Sequence, residues 1–194
     1  MKNQPRTLPA APVRLAGQNI VLREWDEADI PALIEMYDDP EIDRWTPVPS
    51  PFDEDAARAY FGRARAARAE GRLIQLAITA DGGQPRGEVL IWWDDPDDPD
   101  DPDDRDIELA YGVGSRFRRR GLASAAVTVA TGYALQHCEA RRVLLRIEAG
   151  NAPSAAVARS AGFAPTTDEL VEREAKGRRV LLRTWCHGNG EPAP

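Results

Sequence analysis

Along the 194-residue chain the spacing of apolar positions switches repeatedly between a two-residue and a 3.6-residue repeat, which predicts short strands alternating with helices. Residues 20–25 have strand composition. Behind them Ile30, Leu33, Ile34 and Tyr37 recur at helical spacing, with Asp26 or Asp29 as the cap and an acidic opposite face. Four prolines, Pro40, Pro47, Pro49 and Pro51, argue against any regular element between residues 40 and 51. A second helix is predicted from Asp53 to Glu70, closed by Gly71.

The middle of the chain reads as sheet. Residues 73–79 and 88–93 are predicted strands joined through Asp81-Gly82-Gly83-Gln84-Pro85. Residues 107–113 alternate, placing Ile107, Leu109, Tyr111 and Val113 on one face and Glu108, Ala110 and Gly112 on the other; Gly112 and Gly114 permit a bulge. From Leu122 to about His137 a helix carries Leu122, Ala126, Val129 and Tyr133 on one stripe, and Ala123, Ser124, Ala125 and Ala130 keep its remaining surface small. Residues 142–148 form a strand and 154–161 a short helix. Residues 171–174 and 178–185 form a hairpin turned at Ala175-Lys176-Gly177. About seven strands and four helices result, a single α/β domain over residues 19–187. Residues 1–18, with Pro5, Pro9 and Pro12, read as a flexible arm, and 188–194 as a tail.

Composition narrows the function. A hydrophobic fraction of 42% supports one domain with a single sizeable core. No apolar run approaches the ~18 residues of a membrane span, and the first residues lack the apolar core of a signal peptide, so a cytoplasmic protein with no membrane partner is expected. Cys138 and Cys186 make no disulfide framework. With two histidines besides, no metal-ligand spacing is found, and no metal is expected. Residues 94–106 hold nine Asp and one Arg, a local charge of −8 in a chain whose net charge is −7. The acidity is therefore local, an extended mobile loop is predicted there, and nucleic acid is not an expected partner.

The chemistry concentrates in two segments. Arg118-Arg119-Arg120-Gly121-Leu122-Ala123 is a basic, glycine-bearing turn that stops a strand and opens a helix, so the N–H groups of residues 119–123 and the positive helix end converge where a pyrophosphate can sit. The second segment is Asn151-Ala152-Pro153-Ser154, running on to Gly162-Phe163. Together they resemble the GNAT superfamily of acetyl-CoA-dependent N-acetyltransferases, most closely its branch that acetylates the N-termini of ribosomal proteins. Arg118, Gly121 and Ala123 fill the fixed places of the family's Gln/Arg-x-x-Gly-x-Gly/Ala turn, and the resemblance covers about residues 19 to 186.

The resemblance implies that Val113, Arg118, Arg119, Arg120, Gly121, Leu122, Ala123, Ser124, Asn151 and Arg159 bind acetyl-CoA. Two strands are expected to splay apart so that the pantetheine arm pairs with an exposed edge near Gly112-Val113-Gly114. The first two helices and their linker would wall the acceptor site. Asn151 can bond the pantetheine amides or cap the helix that follows; Ser154 can protonate the departing thiolate or act as a cap. Many relatives carry a tyrosine where this chain has Ala158, which leaves proton donation to Ser154 or water. An amine of pKa about 8–10 must lose a proton before attack, and Glu108 is the first candidate base, with Glu172 and Glu174 as alternatives. The implied activity is direct acetyl transfer to a primary amine of a small molecule or a protein N-terminus, cationic acceptors being favoured by the acidic loop, in a monomer or homodimer. A catalytically degenerate acyl-CoA sensor or scaffold is the competing reading.

Overall fold

The computed structural model describes residues 6–94 and 105–188, the last of these by its backbone alone. Nine strands form one mixed sheet in the order β1(Arg14–Gly17), β2(Ile20–Glu24), β3(Ile74–Thr79), β4(Gly87–Trp93), β5(Asp106–Val113), β6(Arg142–Glu148), β9(Arg178–Gly188), β7(Ala164–Pro165), with β8(Val171–Ala175) also paired to β9. Every pairing is antiparallel except β5 with β6. Those two strands are joined by α4(Leu122–His137), the crossover that a parallel pair requires.

Helices cover both faces. α4 and α5(Ala152–Ser160) close over a core that includes Val89, Ile91, Ile107, Leu109, Val143, Leu145 and Phe163. On the opposite side α1(Ile30–Tyr37), α2(Pro40–Trp45) and α3(Glu54–Ala69) build a second cluster around Leu33, Tyr37, Ile42, Phe52 and Phe61. Small residues do for α4 what the sequence suggested, since Ala126, Ala130 and Ala134 are fully buried.

Three expectations change. The arm orders from Arg14, where β1 turns into β2 through Gln18 and Asn19, both at positive φ (53° and 59°), the twist a two-residue hairpin needs. Leu8 and Val13 are buried ahead of it. The proline-rich linker contains α2, because Pro40 occupies the first turn, where its missing N–H costs nothing, and the other prolines all follow Trp45. Asp39 caps this helix by accepting from Glu41 N (3.0 Å) and Ile42 N (3.1 Å). The third change is that no bulge interrupts β4–β5, whose register runs unbroken from Gly87↔Val113 to Trp93↔Ile107. Gly87 makes that close fit possible: a Cβ there would stand 2.4 Å from Gly112 O.

Of the predicted acidic loop, residues 95–104 lie outside the described residues. Its ends are fixed. Asp94 N donates to Asp106 O (2.9 Å), Arg146 Nη2 holds Asp94 at 2.6 Å, and Arg142 grips both oxygens of Asp106.

Candidate active site

The parallel pairing of β5 with β6 starts at Asp106↔Arg142 and stops at Leu109↔Leu145. Beyond it, residues 110–113 remain paired to β4 and residues 146–148 to β9, so the two strands separate and leave a gap. Gly114 N donates to Arg86 O on the β4 side at 3.0 Å. Peptide groups alternate sideways along a strand, so those of Tyr111 and Val113 point into the gap. A free strand edge is thereby presented, without a bulge, by β6 turning away.

The turn that follows β5 has the shape of an anion cradle. Arg119 (φ 60°) and Gly121 (φ 74°) are both left-handed, and Gly121 caps α4 without any side-chain acceptor. The first-turn N–H groups of α4, those of Leu122, Ala123 and Ser124, therefore have no intrahelical partner. A Cβ at Gly121 would meet nothing within 4 Å, so the space before the helix is open. Arg119 and Arg120 are exposed and, among the described residues, form no ion pair. Arg118 differs. Its Nε donates to Val113 O (3.1 Å), its Nη2 to Asp39 (2.6 Å) and its Nη1 to Glu41 (2.6 Å), so its guanidinium is committed to α2 and the end of β5 rather than to the cradle.

On the α4 side of the gap, Asn151 Oδ1 accepts from Ser154 N at 3.1 Å and caps α5, which frees the Ser154 hydroxyl from that task. That hydroxyl lies 2.7 Å from Tyr111 Oη, which also donates to Ser154 O at 3.1 Å. Burial pushes the Tyr111 phenol up to about 12, against the opposing effect of the Ser154 hydrogen bond, so it stays protonated at neutral pH. Ala158, on α5, is fully buried, and Tyr111 supplies a phenol from β5 instead. Sequence reasoning assigned Tyr111 only to the apolar face. Arg159 is exposed on α5, its guanidinium 5.6 Å from the Trp185 ring.

Two buried carboxyl groups share the opposite face. Glu108 accepts from Arg173 on both oxygens, one at 2.8 Å, and Arg146 Nε stands 3.8 Å away. Burial raises this carboxyl, and the attraction of Arg173 opposes the rise without cancelling it. Glu88, which no sequence signal marked, is paired with Gly112 across the β4–β5 ladder. It receives the hydroxyls of Tyr37 and Tyr60 (the latter at 2.9 Å) and Gln75 Nε2 (2.8 Å), with no cation among its partners, and burial pushes it up to about 8. Glu172 and Glu174 point outward from β8, and Glu172 pairs with Arg179; Arg173 between them points inward.

Residues 19–164 match the acetyltransferase (GNAT) domain family, three quarters of the chain and all of the gap, cradle and hydroxyl pair just described. The chain belongs to the GNAT acetyltransferase family. It is an acetyl-CoA-dependent N-acetyltransferase, as its cradle and free strand edge suit. No curated protein sequence matches it. Among solved structures it is similar to Mycobacterium smegmatis RimJ in complex with CoA-disulfide (TM-score 0.74, 22% identity, 91% of this chain and 88% of that one). It is also similar to the Salmonella typhimurium acetyltransferase that modifies the N-terminal serine of ribosomal protein L7/L12 (TM-score 0.73, 14% identity, 94% and 99%). A GNAT-family acetyltransferase from Bacillus anthracis matches at TM-score 0.73, with 12% identity over 90% and 98%. At these identities the likeness concerns the fold. Among the described residues of this acetyltransferase, no group of three or more His, Cys, Asp or Glu is arranged to hold a metal, and no helix is long and apolar enough to cross a membrane.

Proposed function

We propose that this acetyltransferase moves the acetyl group directly from acetyl-CoA to a primary amine, on a small molecule or at a protein N-terminus. The observation that carries the reading is the end of β5–β6 pairing at Leu109↔Leu145, with β5 running on into a left-handed glycine turn and the open N-terminus of α4. Acetyl-CoA supplies the activated thioester. The backbone of Tyr111 and Val113 lines the pantetheine, the turn of Arg119, Arg120, Gly121, Leu122, Ala123 and Ser124 takes the phosphates, and the Val113 region polarises the carbonyl oxygen. Asn151 and Arg159 flank this path from α5.

The hydroxyl pair of Ser154 and Tyr111 delivers a proton to the leaving sulfur. Glu108 takes the proton from the amine on the opposite face. Its raised proton affinity suits a base better than an ordinary carboxylate, and an incoming ammonium would compete with the half-exposed Arg173 for it. Both cysteines are buried, and burial pushes the Cys138 thiol up to about 11, away from the thiolate a nucleophile needs, which supports transfer without an acyl-enzyme. The likeness to a structure described as modifying an N-terminal serine favours a peptide α-amine as acceptor.

Thiol release from acetyl-CoA should be followed with peptides carrying a free N-terminus, the same peptides N-terminally blocked, and small amines. Release with free amines and none with the blocked peptides is expected. Tight CoA binding with no release for any amine would turn the reading into that of a sensor.

A further inference from the structure

The six-residue helix α2 touches three separate walls of the gap. At its start Asp39 and Glu41 each accept from Arg118 at 2.6 Å, and Arg118 also donates to Val113 O, the last residue of β5. Burial would raise the Asp39 carboxyl, but the Arg118 guanidinium and the N–H of Ile42 outweigh it and hold the group below the usual carboxylate range. At the far end Lys176 Nζ, in the β8–β9 turn, donates to Asp43 O and Oδ1 at 2.6 Å, and Arg178 Nη2 to Arg44 O at 2.9 Å. Cations on the last carbonyls of a helix complement its dipole.

Beneath the helix, a Cβ on Gly112 would meet Ile42 Cδ1 at 3.6 Å and one on Gly150 would meet Trp45 Cη2 at 3.5 Å. Gly112 lies on the separated part of β5 and Gly150 just past the separated part of β6, so α2 bridges the two sides of the gap. An acceptor amine approaching from the face of Glu108 passes under or beside this helix.

We propose that Arg118 is a positioning residue that ties α2 to the end of β5, so that filling the cofactor cradle and placing the roof of the acceptor site are one coupled event. The inference rests on the proposed function for what enters the gap; the tie itself rests on the three hydrogen bonds. Arg118 is adjacent to Arg119, whose left-handed backbone shapes the cradle. A ligand that selects one arrangement of that turn selects one placement of α2, and by reciprocity an acceptor seated under α2 favours the loaded turn.

Amide hydrogen exchange over residues 40–46, measured with and without CoA, tests it together with CoA affinity by calorimetry. Without CoA, Arg118→Gln and Asp39→Asn should each speed exchange there by about tenfold or more, and the double variant no further, as two halves of one interaction do. Asn remains a competent helix cap, so Asp39→Asn isolates the ion pair. CoA should slow exchange of α2 in the parent but not in these variants. CoA affinity should change less than about threefold in Arg118→Gln and fall at least about tenfold when Arg119 and Arg120 are both changed to Ala. With any amine that turns over, Arg118→Gln should raise the acceptor KM and leave that of acetyl-CoA in place.

Loss of CoA affinity in Arg118→Gln equal to that of the Arg119 and Arg120 pair would make Arg118 a phosphate ligand and overturn the proposal. So would unchanged exchange over residues 40–46. A parent that bound no CoA would defeat the proposed function and the coupling with it, while the CoA-free exchange comparison would still decide for or against the tie.

Discussion

Glu88 and Glu108 are both buried carboxyl groups, one held by neutral donors and the other by Arg173. Glu88 has neutral donors only, and its folded-state proton affinity, about 8, exceeds the unfolded value of 4.5. The folded chain thus holds this proton more tightly, so stability is full below the unfolded pKa and is lost as pH rises toward 8. Each pKa unit is worth about 1.4 kcal/mol. Thermal melts of the parent should therefore weaken between pH 5 and 8 more steeply than those of Glu88→Gln; parallel curves would remove the account. Glu108→Gln should lower kcat by about 10²-fold or more while leaving CoA affinity intact, and Ser154→Ala with Tyr111→Phe should act non-additively because the two hydroxyls are one hydrogen-bonded unit. If both sets of variants retain full activity across pH 6 to 9, proton transfer resides elsewhere. Glu108 and Ser154 were candidates from the sequence because Glu108 lies on the strand that runs into the basic turn, opposite its apolar face, and Ser154 in the segment that begins at Asn151. The sequence hid Glu88 and Tyr111, because an isolated Glu in a strand and a Tyr in an apolar stripe look structural until their neighbours from other elements are known.

At the scale of elements, local signals worked where they were local. The α4 boundaries were legible from the basic glycine turn and the small-residue run, and β6 from its own pattern. α2 was not, since counting prolines across residues 40–51 ignored their order: one at the first helical position and the rest beyond Trp45. The opening between β5 and β6 was implied by the family resemblance, with Gly112 and Gly114 permitting a bulge; it arises without one, from the divergence of β6 with β9, a long-range event that no glycine reports. Gly87 has the stricter requirement. Gly87→Ala would drive a Cβ to 2.4 Å from Gly112 O and 3.1 Å from Val113 Cα. Chemical denaturation should show a loss of about 2 kcal/mol or more, since backbone on both sides must give way. An unchanged stability would mean that the β4–β5 ladder is looser than its register implies.

For the molecule as a whole, charge is distributed by segment. Asp94 and Asp106 are ion-paired with Arg146 and Arg142, and between them the sequence of residues 95–104 carries seven Asp and no cation. If the proposed acceptor is cationic, that run of charge would speed its encounter by ~10-fold at low salt, an effect that would fade as the Debye length falls to about 8 Å. Replacing residues 95–104 by a Gly/Ser linker of equal length should raise the apparent KM of a basic peptide at low salt and converge with the parent at high salt. Identical kinetics at every salt concentration would reduce the segment to a spacer.

Whether CoA occupies the β5–β6 gap with its phosphates on the turn before α4 is decided by calorimetric titration of CoA into the parent, Gly121→Ala and Gly121→Glu. Gly121 is left-handed (φ 74°) with open space where its Cβ would be, so Ala adds only a backbone cost of about 1 kcal/mol. Glu adds the same cost and places a carboxylate in the cradle. Saturable binding to the parent, a modest loss in Gly121→Ala and a loss of at least about 30-fold in Gly121→Glu are expected. Equal CoA affinity in all three chains would contradict that placement.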